Sequence, residues 1–203
     1  MSRCEGAFSD SDEILFMIVG DAWPHGINYK DSGGRGGKPM TNSFPHVDSQ
    51  QRLERARASL EGLSVGDAFG ERFFVSPSIA EDLIEQRALP APPWPYTDDT
   101  AMAISIVEAL QHSGAIDQDW LATAFTEAYV RDPSRGYGPA MHSLFRRIHA
   151  GESWRELTHR LFSVQGSFGS GAAMRVAPLG AYFANDLDMV VKQAELSASV
   201  TPA

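Results

Sequence analysis

The chain has 203 residues, of which 43% are hydrophobic and 21% are charged, and its formal net charge at pH 7 is −9. This composition is typical of a soluble globular protein with one sizeable core. The acidic balance argues against nonspecific nucleic-acid binding, which requires a basic surface. The single cysteine, Cys4, excludes an internal disulfide and favours a reducing compartment.

The N-terminal region differs from the rest of the chain. It contains a glycine-rich stretch over 33–39 and lacks sustained periodicity, so we predict a flexible extension over 1–50 and a folded domain over 51–203. Its longest apolar run, 14–19, is too short for a membrane helix and follows acidic residues, unlike a signal peptide. We therefore predict a cytoplasmic protein with no membrane partner.

The first predicted helix begins near Gln51. Its apolar residues recur at three- and four-residue spacing: Leu53, Ala56, Leu60 and Leu63. The glycines at positions 62, 66 and 70 share one face of its continuation. That face would admit the close approach of another backbone or a ligand, or simple packing of a second helix.

Further helices are predicted across short loops. The first three cover 80–87, a segment from Thr100 to a stop near Gly114, and a segment around 120–129 that stops at 132–133. The next runs from Pro139 to Gly151, and another from the capping-box pattern at 153–156 through Phe162. The last begins at Asn185 or Asp186. No stretch shows the sustained alternation of a strand. The predicted fold class is all-α, with orthogonally packed helices.

Two adjacent carboxylates mark the start of the helix near Thr100. Thr97, Asp98 and Asp99 directly precede the apolar segment 101–107. Acids favour a helix N-terminus, where unpaired backbone N–H groups are partly positive, so these residues can act as ordinary caps. Neighbouring carboxylates also repel each other, and a hard divalent cation relieves that repulsion. The alternative hypothesis is therefore half of a magnesium-type metal site.

A glycine-rich loop over 165–171 precedes a second apolar segment. Its glycines allow backbone N–H groups to point at a phosphate or diphosphate, and Phe168 can stack on a base or sugar. Arg175 can pair with an anion or serve as a partner between helices. A purely structural helix-to-helix turn remains the alternative.

Three segments in this order resemble the ADP-ribosylglycohydrolase family. They are Gly-Asp-Ala-Phe-Gly at 66–70, Tyr-Thr-Asp-Asp-Thr-Ala-Met-Ala at 96–103, and Gly-Ser-Phe-Gly-Ser-Gly-Ala-Ala-Met-Arg-Val-Ala-Pro-Leu-Gly at 166–180. The resemblance spans roughly 51–201. It implies an all-α enzyme that cleaves the bond between the anomeric carbon of ADP-ribose and a protein side chain or related acceptor. It also implies a two-magnesium centre, in which manganese sometimes substitutes.

The resemblance assigns roles by matching position. Thr97, Asp98 and Asp99 correspond to metal ligands, and Asp67 and Glu71 fall where relatives carry a carboxylate near the scissile bond. The loop that wraps the diphosphate and ribose corresponds to Ser167, Phe168, Gly169, Ser170, Gly171 and Met174. Carboxylates and metal-bound hydroxyls suit an oxocarbenium-like transition state.

The chain also departs from the family pattern. Ser170 stands where relatives usually have Asn, and Thr201-Pro202 stands where they usually have a Thr-His pair. A second metal motif of the Gly-Asp-x-Asp-Thr type does not occur before Ala203. We therefore expect a domain truncated at its C-terminus that supplies about half of a two-metal site.

Three functions remain open from the sequence. The first is a magnesium-dependent hydrolase acting on ADP-ribosylated protein or a related ADP-ribosyl compound. The second is a catalytically impaired remnant that binds ADP-ribose. The third is a helical interaction protein in which the acid pair is only a cap.

Overall fold

The structure is a computed structural model that describes residues 46–161, 167 and 169–202. Of the predicted extension over 1–50, positions 1–45 lie outside these residues, as do Phe162 and Phe168. The described residues form eight helices and no strand, which confirms the all-α class. The helices are α1 (His46–Glu71), α2 (Pro77–Glu85), α3 (Asp98–Ser113), α4 (Gln118–Arg131), α5 (Pro139–His149), α6 (Trp154–Arg160), α7 (Ala177–Tyr182) and α8 (Leu187–Ala198).

Helix α3 forms the centre of the core. It is buried from Thr100 to Val107 and again at Ala109 and Leu110, as expected for a segment that is apolar on all faces. Helices α1, α4 and α7 pack against it, and α5 packs against α4. The first turn of α3 therefore lies where several helices meet.

Helix α1 is longer at both ends than its apolar spacing predicts, and it contains all three spaced glycines. A Cβ atom added at position 62, 66 or 70 would meet no described atom within 4 Å outside the helix. The packing of another backbone or helix predicted there does not occur among the described residues, and the close approach of a ligand stays a prediction.

Local signals mark several helix ends correctly. Helix α3 ends at Gly114, which adopts a left-handed φ of 72°. Helix α8 begins after Asp186, whose side chain accepts a hydrogen bond from the Met189 N–H at 3.0 Å. Helix α2 starts at Pro77, earlier than predicted, and has no buried residue.

The pattern at 153–156 marks a helix start correctly, because Ser153 is the N-cap and α6 begins at Trp154. The capping box itself is not formed, since the Ser153 side chain makes no capping hydrogen bond. The glycine-rich loop leads first into a single turn at 171–175, and the short helix α7 begins only at Ala177. In the described part of the chain, no helix combines the length and apolar character needed to cross a bilayer.

Candidate functional site

The acid pair occupies the first turn of α3. Thr97 is the N-cap, and its hydroxyl accepts a hydrogen bond from the Asp99 N–H at 3.3 Å. The Asp98 N–H donates to the Arg135 carbonyl at 2.7 Å. Capping is therefore carried by Thr97, and the side chains of Asp98 and Asp99 are half-buried at the helix start.

Asp67 holds this turn from the neighbouring helix α1. Its Oδ1 accepts a hydrogen bond from the Thr97 hydroxyl at 2.6 Å. Its Oδ2 accepts from the Thr97 N–H at 2.8 Å, and from the N–H and hydroxyl of Thr100 at 3.2 and 2.6 Å. One carboxylate thus binds four donors and connects α1 to α3. The family resemblance placed Asp67 where relatives carry a carboxylate near the scissile bond, but it did not anticipate these hydrogen bonds.

The two acids lie in an environment that disfavours their charge. Burial raises the pKa of Asp98 to about 6, and the charges of Asp99 and Asp67 add to the rise. Burial, followed by the charge of Asp67, also raises the pKa of Asp99, although the hydrogen bond with Thr97 opposes the increase. The turn therefore gathers negative charge in a partly dehydrated position.

Glu71, the last residue of α1, lies near this charge cluster. Its side chain is exposed, and its charge contributes to the raised pKa of Asp99. The structure thus brings together the five candidates that come from the first two motifs. These are Asp67, Glu71, Thr97, Asp98 and Asp99.

The loop after α4 completes one side of the site. Gly136 has a left-handed φ of 89°, and a Cβ atom there would lie 3.5 Å from Asp98 Oδ1. The Arg135 guanidinium donates to the Tyr96 carbonyl at 2.9 Å and lies 3.9 Å from the centre of the Tyr96 ring. This loop therefore lies against one side of the Asp98 carboxylate.

Tyr137, in the same loop, carries a buried hydroxyl with no hydrogen-bond partner among the described residues. Burial raises its pKa, and the charge of Asp98 raises it further. Sequence reasoning missed Gly136 and Tyr137 as neighbours of the acid pair. The only signal was the Gly-Tyr-Gly turn at 136–138, which follows the helix stop.

The glycine-rich loop contains both exposed and half-buried candidates. Gly169 and Ser170 are exposed, whereas Ser167, Gly171 and Met174 are half-buried. The Gly169 N–H donates to the Ser167 hydroxyl oxygen at 3.0 Å, which tightens the backbone. The Met174 N–H donates to the Ser170 carbonyl at 2.9 Å and closes one helical turn.

Arg175 connects this loop with α3. Its guanidinium lies 3.9 Å from the Met102 sulfur, one helical turn after Asp98. The side chain is buried, and all of its hydrogen bonds in the described structure go to protein acceptors. Of the two sequence interpretations, the structure therefore shows a partner between segments.

The donor set fits a hard cation in part. Two half-buried carboxylates supply oxygen ligands of the kind that Mg²⁺ prefers. The Thr97 hydroxyl already donates to Asp67 and accepts from Asp99, so little of its capacity remains. Within the described ranges, no group of three or more His, Cys, Asp or Glu side chains is arranged to hold a metal ion.

A separate cavity of about 90 Å³ lies between α3 and α4. Its polar lining includes Glu108, Arg131 and Arg135, and Tyr96 and Trp120 contribute aromatic surface. Asp98 and Asp99 do not line it. The candidate chemistry is therefore at the open start of α3 and not in this cavity.

Comparisons with known proteins agree with the arrangement of motifs. The sequence model described as ADP-ribosylglycohydrolase matches residues 48–203. The chain is 33% identical over 168 residues to ADP-ribosylhydrolase ARH3 of Homo sapiens and 32% identical over 166 residues to that of Bos taurus, covering 74% of this chain and 45% of each relative. It is also 30% identical over 159 residues to an uncharacterized protein of Archaeoglobus fulgidus, covering 73% of this chain and 49% of the relative. The chain thus spans about half the length of the curated relatives it matches.

Proposed function

Because the chain belongs to the ADP-ribosylglycohydrolase family, we propose that it takes part in hydrolysis of the bond between ADP-ribose and a protein side chain or related acceptor. The observation that carries the proposal is the pair of half-buried carboxylates at the start of α3, where the pKa of Asp98 is raised to about 6. A pKa raised by burial together with a neighbouring charge is typical of a functional site.

The proposed reaction breaks the bond between the anomeric carbon and the acceptor atom. A water oxygen forms the new bond to that carbon, and the acceptor atom receives a proton. Mg²⁺, or Mn²⁺ in its place, would be held by Asp98 and Asp99 and would polarise ribose hydroxyls and water. Thr97 assists by fixing the backbone of the turn.

The remaining residues have supporting roles in this proposal. Asp67 keeps the turn in place through its four hydrogen bonds, so we assign it to positioning rather than to proton transfer. Glu71 is the better candidate for acid or base, because its carboxylate is exposed and electrostatically close to Asp99. The loop of Ser167, Phe168, Gly169, Ser170, Gly171 and Met174 is proposed to bind the diphosphate and ribose.

The test is release of ADP-ribose from an ADP-ribosylated protein with and without Mg²⁺. We expect Asp98→Asn to reduce the rate by at least about 100-fold, because an amide is a poor magnesium ligand but keeps the shape of the side chain. The matched control is Asp119→Asn, which changes an exposed acid in the first turn of α4. Activity that survives both chelation and Asp98→Asn would contradict the proposal.

A second candidate is an ADP-ribose-binding protein without turnover. It is favoured by the small number of metal-ligating side chains that the described residues bring together. Calorimetry with ADP-ribose, run beside the release assay, distinguishes the two functions. Binding without release supports the second candidate, and the absence of binding removes both.

A further inference from the structure

We infer that Arg175 is a positioning residue that holds the glycine-rich loop and the segment 197–201 in a fixed relation to the first turns of α3. The inference rests on the proposed function, since it concerns how the loop and the acid pair are aligned for one ligand. The anchoring itself is visible in the contacts of the guanidinium, whatever that ligand is.

The guanidinium joins the glycine-rich loop to the segment 197–201. Nη1 donates to the Gly171 carbonyl at 2.8 Å, and Nη2 donates to the Ser197 carbonyl at 3.1 Å and the Thr201 hydroxyl at 2.9 Å. These acceptors belong to the glycine-rich loop, the end of α8 and the residues that follow α8. The planar guanidinium of one side chain therefore fixes the distance between the glycine-rich loop and the segment 197–201.

The same guanidinium contacts the core helices. It lies 4.7 Å from the centre of the Phe125 ring in α4 and 3.9 Å from the Met102 sulfur in α3. Met102 follows Asp98 by four residues, so the two side chains occupy one face of the helix. Arg175 thus lies beneath the face of α3 that carries the acid at its N-terminal end.

Burying the charged Arg175 side chain costs desolvation free energy, which indicates that the residue does more than fill space in the core. Arg175 is 1% exposed, and none of the ion pairs among the described residues includes it. Burial lowers its pKa to about 10, with Asp98 opposing the decrease, so the side chain remains charged at neutral pH. Apolar residues often replace buried charges without loss of stability. Retaining a charge here provides directed hydrogen bonds to the loop.

Lysine cannot reproduce this arrangement. Its ammonium is a compact charge without the planar fork, so it cannot reach Gly171, Ser197 and Thr201 at once. We therefore expect Arg175→Lys to keep the buried charge but release the loop. Thr201→Val removes one of the three hydrogen bonds and should have the same effect in a weaker form.

The experiment measures backbone hydrogen exchange and ADP-ribose affinity in the full 203-residue chain. In Arg175→Lys we expect amides at 169–174 to exchange at least about tenfold faster, amides at 121–129 in α4 to be unchanged, and the dissociation constant for ADP-ribose to rise about tenfold or more. Leu157→Val, a core change in α6, is the control for lost stability. It should leave the exchange at 169–174 and the affinity unchanged.

The outcomes separate this inference from the proposed function. If the wild-type chain does not bind ADP-ribose, the proposed function fails, and the exchange data alone decide whether Arg175 holds the loop. Unchanged exchange at 169–174 in Arg175→Lys overturns the inference. Faster exchange with unchanged ADP-ribose affinity also overturns it, because the loop would then not need to be positioned. If Arg175→Lys does not fold, the same readouts in Thr201→Val decide.

Discussion

The starts of α3 and α4 both combine an oxygen-bearing cap with acid in the first turn but differ in their chemistry. The caps are Thr97 and Asp117, and the first-turn acids are Asp98 and Asp99 in α3 and Asp119 in α4. At α4, hydrogen bonds from Arg155 and Trp154 lower the pKa of the exposed Asp119. At α3, burial and neighbouring acids raise the pKa of Asp98. The charged form of an acid is thus favoured at the start of α4, where hydrogen bonds surround it, and disfavoured at the start of α3, where it is half-buried beside other acids.

The largest expected effect comes from removing the carboxylate that holds the start of α3. Asp67→Ala deletes the acceptor for four donors, two of which belong to the buried Thr100, and should lower the free energy of unfolding by about 3 kcal/mol. Asp117→Ala removes only a surface cap and should cost about 1 kcal/mol. Urea unfolding measures both values, and equal losses would contradict the difference proposed between the two helix starts.

Magnesium should act on only one of the two helix starts. If the acid pair binds Mg²⁺ with a dissociation constant of about 1 mM, then 10 mM Mg²⁺ stabilises the fold by about 1.4 kcal/mol. Thermal unfolding of the wild type and of Asp119→Asn should therefore shift upward on adding the ion. Asp98→Asn should not respond. A shift of the same size in Asp98→Asn would place the ion elsewhere.

The smallest effect is a pH dependence of opposite sign at the two sites. The pKa of Asp98 rises from 3.8 to about 6 on folding, so the folded state loses relative stability as the pH increases through that window. Asp98→Asn should therefore be more stable than the wild type at pH 7, by about 1 kcal/mol after allowance for partial exposure, and equal to it near pH 4.

Asp119→Asn should change stability in the other direction. The pKa of Asp119 is lowered in the folded state, so its contribution is present above its usual pKa and is lost as the pH falls. This variant should be less stable than the wild type at neutral pH, and the difference should vanish in acid. Urea titrations at pH 4 and pH 7 measure the free energy of unfolding of both variants. If both variants differed from the wild type in the same direction at pH 7, the proposed electrostatic difference between the two helix starts would be contradicted.

Local signals in the sequence predicted much of the fold. The left-handed stop at Gly114, the cap at Asp186 and the all-apolar segment of α3 were readable because each depends on nearby residues. The capping-box pattern at Ser153 located the start of α6 correctly, although the Ser153 side chain does not make the capping hydrogen bond. The face of spaced glycines along α1 does not pack on another described helix, and its role toward a ligand stays a prediction.

The sequence identified candidate residues for the site, but it did not predict the hydrogen bonds and contacts that join them. The motif residues Asp98 and Asp99 were identifiable by pattern and by resemblance to the family. The hydrogen bonds that Thr97 donates to Asp67 cross 30 positions, and the contact between Arg175 and Met102 crosses 73. Periodicity and capping rules carry no information at such separations, because they describe neighbours along one helix.

The sequence by itself determined the helical class and the family, and it supplied the residues that we propose bind a cation and ADP-ribose. Tertiary structure alone decided that Asp67 holds the turn, that Tyr137 and Gly136 lie beside Asp98, and that Arg175 is buried. The physical reason is that a pKa and a buried hydrogen bond depend on which groups meet after folding. The sequence shows which ionisable and hydrogen-bonding groups are present, whereas tertiary packing decides how buried each group is and which charges lie beside it.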